Sequence, residues 1–392
     1  MEISLNTIRS IIRRTVDRQE LAGANVLILQ DGKELFYDEY GIARASDKSP
    51  LVRDTIFRLY SQTKPITAAA VILLAAEGKI DLSADLSEYL PEFSHQFRYD
   101  ENGEKKDVVR RISVKSLLNM TSGIPYPNYG NKADEMAGGV FDDMIASLYT
   151  DSPLTTRDFS EKMAKIGLSF EPESHFRYGA GADIAGALVE RVSGVSFGEF
   201  LRSSFFEPLE MTDTDFWVPP EKQHRLAAIF DTAGGLHECP SDHLGLRYAR
   251  DVRPAFESGG AGLCSTLDDY SHFALMLLDG GVYKGRRIMP SYAVRYLTEN
   301  AFEHSLCGDL LSSFGWMNGY RYGNFMRICD DPTKTALFSA KGEYGWDGWL
   351  GTFFSNEPSN RTTILLGTQM VGVGAAGTLA RKIKNVVMSS LM

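Results

Sequence analysis

Phe57-Arg58-Leu59-Tyr60-Ser61-Gln62-Thr63-Lys64-Pro65-Ile66-Thr67-Ala68-Ala69-Ala70-Val71 carries a serine and a lysine three residues apart at the head of an apolar run. The run from Ala68 to Ala76 has the length and composition of a buried helix, and Gly78 offers a left-handed stop after it. Pro65 suits only a first helical turn, where its missing N–H would have had no partner. The helix therefore starts close to Ser61, with Lys64 one turn on and on the same face. A serine hydroxyl is a weak nucleophile until a base takes its proton, and an amine whose pKa is lowered by burial can be that base. Helix N-terminal N–H groups favour negative charge developing beside them. As a pattern alone, Ser-x-x-Lys reads first as an N-cap serine and a solvated lysine. The rest of the chain has to supply its context.

Upstream, Met1 to Glu20 places Ile3, Ile8, Ile11, Ile12 and Val16 at helical spacing among Arg9, Arg13 and Arg14, which predicts an amphipathic helix. An export signal would need an uninterrupted apolar core. Asn25–Gln30 and Glu34–Tyr40 flank Asp31-Gly32 and predict a hairpin. Thr55–Leu59 predicts a short strand leading into Ser61. Downstream, helices are expected at Ser113–Met120, Thr156–Ile166, Ala180–Val192, Phe197–Phe206 and Asp268–Leu278, and Asn128–Gly139 reads as a polar lid. Strand-like runs return at Tyr320–Ile328, Thr335–Ser339, Gly351–Ser355 and Thr362–Thr368, before a last helix at Thr378–Met388. The expected architecture is α+β. An antiparallel sheet built from both chain ends (1–85 and 286–392) is flanked by helices, and residues 86–285 form an inserted, mainly helical domain. A cleft between the two is the expected site.

The 392 residues are 43% hydrophobic and 23% charged, enough for a large core, and the net charge of -10 argues against nucleic acid as a partner. Cys239, Cys264, Cys307 and Cys329 form no Cys-x-x-Cys and read as reduced thiols. No stretch is long and apolar enough to span a membrane. A cytoplasmic, soluble protein is expected, with its oligomeric state open.

Three patterns look chemical and read better as structure. Gly194-Val195-Ser196-Phe197-Gly198 matches a nucleophile elbow, but a helical run precedes it where a strand is required. Gly194 fits a helix stop, and Ser196 with Glu199 fits a capping box. Gly372-Val373-Gly374-Ala375-Ala376-Gly377 matches a dinucleotide fingerprint, yet the chain ends before the acidic residue expected about 20 positions on. His237, Cys239, Asp242 and His243 lack zinc-ligand spacing. The other histidines read as surface or core residues.

Five segments in register resemble the serine β-lactamase and penicillin-binding-protein superfamily, most closely its class C-like branch and the family VIII carboxylesterases. They are Phe57–Lys64 with the helix and Gly78-Lys79-Ile80-Asp81-Leu82 after it, Ile112–Pro125, Phe176–Gly186, Ser258–Thr266, and Gly345-Trp346-Asp347-Gly348-Trp349-Leu350-Gly351-Thr352. The resemblance runs from near residue 20 almost to the C-terminus and implies a β-lactamase/transpeptidase-like fold. It implies Ser61 as acyl-accepting nucleophile, Lys64 as its proton partner, and Tyr178 as the family's second-motif tyrosine. The Lys64/Tyr178 pair would share one proton, with the base left undecided between them. It implies an oxyanion hole from the backbone N–H groups of Ser61 and Trp349, and a substrate wall that includes Tyr126, Trp346, Asp347 and Gly348. No metal or cofactor is implied.

Two departures bear on substrate. The family's third motif usually opens with lysine or histidine, and here it reads Trp346-Asp347-Gly348. Ala180 replaces the asparagine that lactamases use. Both weaken the case for a penicillin or a peptide C-terminus. The expectation is a serine hydrolase acting on small esters, with amides second, through a Ser61 acyl-enzyme. The alternatives are a β-lactamase, a D,D-peptidase or D-amino-acid amidase, and a non-catalytic ligand-binding member of the fold. Asp347 could instead recognise a cationic amine on the substrate.

Overall fold

The protein is described by a computed structural model covering residues 2–390 apart from 101, 128, 129 and 373, with the backbone alone described for 2–4 and 375. Seven strands make one antiparallel sheet. Gly23–Gln30 (β1) and Lys33–Gly41 (β2) come from the N-terminal part. Tyr320–Gly323 (β3), Met326–Cys329 (β4), Tyr344–Asp347 (β5), Phe353–Glu357 (β6) and Thr362–Gly367 (β7) come from the C-terminal part. The spatial order is β3-β4-β5-β6-β7-β1-β2, so the two chain ends meet where β7 pairs with β1. Asp31 and Gly32 both have positive φ, 50° and 72°, as the tight turn between β1 and β2 requires.

Alternation along the strands feeds two cores, because successive side chains point to opposite faces. Val26, Ile28, Ile364 and Leu366 meet Ile8 and Ile12 of α1 (Glu2–Asp17) and Leu379 and Ile383 of the C-terminal helix Gly374–Ser390. Leu27, Leu29, Phe354 and Leu365 face the larger core on the other side. At its centre lies α2 (Lys64–Ala76), in which every residue from Lys64 to Leu74 is buried. A helix apolar on all sides has to be enclosed. It packs on α3 (Gly181–Ser193) and on Ser291–Glu299. Among the described residues no helix is long and apolar enough to cross a membrane.

The structure departs from the expected elements at four places. Tyr320–Ile328 is a hairpin, not one strand: Asn324 and Phe325 turn at φ 49° and 59° between β3 and β4. Thr335–Ser339 forms no strand, and β5 occupies a segment that reads as a motif in the sequence. Of the expected lid, Asn128 and Tyr129 lie outside the described residues. Lys132–Gly139 is the start of a 16-residue helix whose Asn131–Asp134 capping box satisfies its first N–H groups. Leu267–Leu278, assigned by sequence to the inserted part, lies against β1 and β7. The Gly194–Gly198 stretch is structural: Gly194 is a left-handed helix stop and Ser196 Oγ accepts from Glu199 N.

The β3–β4 turn is held by tertiary contacts. Asn324 Nδ2 donates to the carbonyls of Tyr296, Leu297 and Asn300 at 2.8, 3.1 and 3.3 Å, closing the end of helix Ser291–Glu299. Asn324→Ala removes all three bonds and keeps a left-handed backbone without glycine or asparagine. We expect a loss of about 2–4 kcal/mol in urea unfolding, with no change in the slope.

Candidate active site

Tyr60–Thr63 forms a 3₁₀ turn that runs into α2 at Lys64. Tyr60 has φ 45°, an uncommon conformation for an aromatic residue. Ser61, directly after it, lines a cleft of about 600 Å³. Lys64 lies beneath the cleft, 1% exposed. Its Nζ donates to Ser61 Oγ at 3.1 Å and to the Gly260 carbonyl at 2.8 Å. The Tyr178 ring covers Nζ, with its centroid 4.7 Å away. Tyr178 Oη accepts a hydrogen bond from Trp346 Nε1 at 3.1 Å. Ser61, Lys64, Tyr178 and Trp346, from three separate segments, thus converge at one point.

A buried carboxylate stands behind the lysine. Asp183 Oδ1, on α3, accepts from Ser258 Oγ at 2.5 Å and from Gly260 N at 3.0 Å. Gly260 therefore takes its orientation from Asp183 and offers its carbonyl to Lys64. Thr67 Oγ1 also donates to the Gly259 carbonyl at 2.7 Å, tying α2 to the same turn. Asp183 and Ser258 lie in segments quoted above for the resemblance. Their link to Lys64 is visible only once both segments are brought against α2.

Burial sets the proton affinities. It lowers the Lys64 amine to about 8, against an upward pull from Asp183. It raises the Tyr178 phenol well above its ordinary value, opposed by hydrogen bonding with Ser61 and Trp346. It raises the Asp183 carboxyl too, opposed by the Lys64 charge and the Ser258 hydroxyl.

The fifth motif closes the cleft from the sheet side. Gly348 N donates to Thr352 O at 2.8 Å, and Thr352 Oγ1 donates to Leu59 O at 3.2 Å. A Cβ on Gly348 would stand 2.3 Å from Leu59 O, so only glycine allows the motif this close to the serine turn. The N–H groups of Ser61 and Trp349 have no internal acceptor among the described residues. Tyr126, Trp346, Asp347 and Gly348 all line the cleft. His243, considered above only against zinc-ligand spacing, lines it as well, as do Phe314, Trp316, Met317 and Phe353, which the sequence does not single out. Apart from His243, their only signal is apolar and aromatic character, which core residues share.

Asp347 does not present a free carboxylate. Its Oδ1 accepts from Arg327 Nη1 at 2.8 Å. Arg327 is fully buried and reaches Glu343, which also pairs with Lys384 of the C-terminal helix at 2.8 Å. The expectation that Asp347 recognises a substrate cation therefore loses its footing, because a fixed guanidinium already neutralises it. His237 Nδ1 contacts the Gly235 carbonyl, and Asp242 accepts from Tyr149 Oη and Tyr248 N. Among the described residues no group of three or more His, Cys, Asp or Glu is arranged to hold a metal ion.

Comparison with known proteins gives a family match and several relatives. The family described as Beta-lactamase matches residues 8–387. Protein Rv1367c of Mycobacterium tuberculosis is 28% identical over 91% of this chain and 88% of its own. Esterase EstB of Burkholderia gladioli is 28% identical over 96% of this chain and 93% of its own. Among solved structures, EstCE1, a hydrolase with promiscuous acyltransferase activity, superposes with a TM-score of 0.81 at 22% identity, covering 98% of both chains.

The ion network gives a stability test. Arg327→Met leaves Asp347 without its partner and Glu343 with one cation fewer. It is expected to cost about 3 kcal/mol, whereas Asp347→Asn keeps an acceptor for Arg327 and should cost about 1 kcal/mol in urea unfolding.

Proposed function

The chain belongs to the β-lactamase family and is a carboxylesterase-like serine hydrolase, and from that footing we propose that it cleaves small apolar esters through an acyl-enzyme on Ser61. Ser61 Oγ attacks the ester carbonyl and its proton passes to Lys64 Nζ. The tetrahedral oxyanion is held by the N–H groups of Ser61 and Trp349. On collapse the alkoxide takes a proton from the Lys64/Tyr178 pair and leaves as the alcohol. Water then attacks the acyl carbon, gives up its proton to the same pair, and releases the acid and free Ser61.

The single observation that carries this reading is Lys64 Nζ at 3.1 Å from Ser61 Oγ in a fully buried setting. Lys64 is favoured as base over Tyr178. Its pKa is lowered towards working pH, while that of the phenol is raised away from it. Nζ bonds Ser61 and the Gly260 carbonyl and meets Tyr178 only through the ring face, which leaves the phenol free to donate a proton to the leaving group. The walls favour apolar substituents: Tyr126, Phe314, Trp316, Trp346, Trp349 and Phe353 surround Ser61. No lysine or histidine opens the third motif to bind a substrate carboxylate, which supports an ester over a penicillin. Esterase EstB supports the same choice.

Ser61→Ala should lower kcat for p-nitrophenyl butyrate by at least about 10³-fold with the melting temperature unchanged. The neutral amine is the active form, so kcat/KM should rise about tenfold per pH unit below 8 and level off above it. A flat profile between pH 6 and 9 would remove Lys64 as base. Asp347→Asn should leave the ratio of rates on a cationic and a neutral ester unchanged, since Arg327 already neutralises Asp347.

A further inference from the structure

Three aromatic rings from three distant segments meet beside the serine turn. The indole of Trp349 lies 5.1 Å from the Tyr60 ring at 58°, centroid to centroid. The imidazole of His243 stacks on the same indole at 4.2 Å and 26° and lies 5.8 Å from Tyr60. Tyr60 immediately precedes Ser61, and Trp349 is the other residue whose N–H faces no internal acceptor. The cluster therefore joins the two backbone segments that carry both candidate oxyanion donors.

His243 is presented by a stiff support. His243 and Leu246 exchange two backbone hydrogen bonds, each 3.1 Å, around Leu244 and Gly245 at φ 53° and 71°. That is a tight two-residue turn with little freedom. Asp242 Oδ1, just before it, accepts from Tyr248 N at 2.7 Å and fixes the turn's base. The imidazole Nδ1 is buried with no hydrogen-bond partner. A ring held so firmly with one nitrogen unbonded contributes here through its face. On the other side, Tyr60 sits in a left-handed conformation that an aromatic residue adopts only where its surroundings impose it. Burying the Tyr60 ring against Trp349 and His243 supplies that constraint.

We infer that His243 is a positioning residue: by clamping the Trp349 indole against Tyr60, it sets the spacing of the Ser61 and Trp349 N–H groups for the tetrahedral oxyanion. The inference rests on the Ser61 acyl-enzyme reading and adds to it a residue outside every segment quoted for the resemblance. Interactions made only in the transition state act on kcat and on tetrahedral adducts, and leave ground-state binding alone.

The test compares His243→Ala with His243→Phe, which keeps an aromatic face and removes both nitrogens. The readouts are kcat and KM on p-nitrophenyl butyrate and the inhibition constant of phenylboronic acid, which forms a tetrahedral adduct with a serine hydroxyl. His243→Ala should lower kcat by about 10–100-fold, less than loss of a whole donor. KM should stay within about twofold, and boronate affinity should fall by the same factor as kcat. His243→Phe should return both to within about threefold of wild type. Should His243→Ala not fold, His243→Phe at near wild-type activity still supports a ring clamp. If His243→Phe is as impaired as an alanine variant or fails to fold, the clamp is overturned, because the nitrogens are then what matters. A rise in KM with kcat and boronate affinity unchanged also overturns it. Activity surviving in Ser61→Ala would overturn the acyl-enzyme reading itself, an outcome separate from any result at His243.

Discussion

A primary amine enclosed by protein is the constraint on which the molecule turns. An ammonium removed from water costs several kcal/mol unless opposite charge and hydrogen bonds compensate. Around Lys64 the compensation is partial: one carbonyl, one hydroxyl, the face of a phenol, and a carboxylate acting through a peptide group. Full compensation, such as a direct carboxylate partner, would keep the amine charged and useless as a base. No compensation would leave it neutral without orientation. The Gly260 carbonyl aims Nζ without pairing its charge, and Asp183 sits behind that carbonyl and moderates the shift.

The fold follows from having to enclose that amine on all sides. α2 is apolar around its whole circumference because the sheet, α3 and Ser291–Glu299 surround it. Its N-terminal turn must still reach a cleft, so the approach from the sheet is made by glycine, with Gly348 against Leu59. The charges that a seven-stranded sheet could not otherwise bury are collected on its other side. There Arg327, Glu343 and Lys384 tie β4 and β5 to the C-terminal helix and capture Asp347 at the cleft edge.

Much of this was legible in the sequence, for identifiable physical reasons. Asp31-Gly32 fixes its own backbone, so the first hairpin reads locally. The β3–β4 turn has Asn324 followed by a phenylalanine, which no turn preference favours. It exists because Asn324 caps a helix elsewhere and Phe325 N donates to Leu118 O, contacts that only the folded chain makes. Ser61, Lys64, Tyr178 and Trp346 could be named because their motifs are short and local. Asp183's role could not be, since it acts through Gly260, 77 residues away. Asp347 lines the cleft, but its charge is taken by Arg327, from a strand that the sequence merges into its neighbour. His243 reads from the sequence only as one of four residues without zinc-ligand spacing, because stacking leaves no pattern in a sequence.

The tryptophan at the head of the third motif alters how protons are shared. A lysine or histidine cation beside Tyr178 would favour the phenolate and let the tyrosine act as base. The Trp346 indole is neutral and only donates. One neutral hydrogen bond is worth about 1 kcal/mol net, less than one pKa unit. Full burial of a phenol can shift it by about 3–5 units the other way. Burial outweighs the hydrogen bond, and on the proposed acyl-enzyme reading the demand for a base then falls on Lys64, whose own burial lowers its pKa. The exchange of a cation for an indole thus has two effects from one substitution. It removes a cation that could hold an anionic substrate, and on the proposed reading it leaves the lysine as the group that takes the proton.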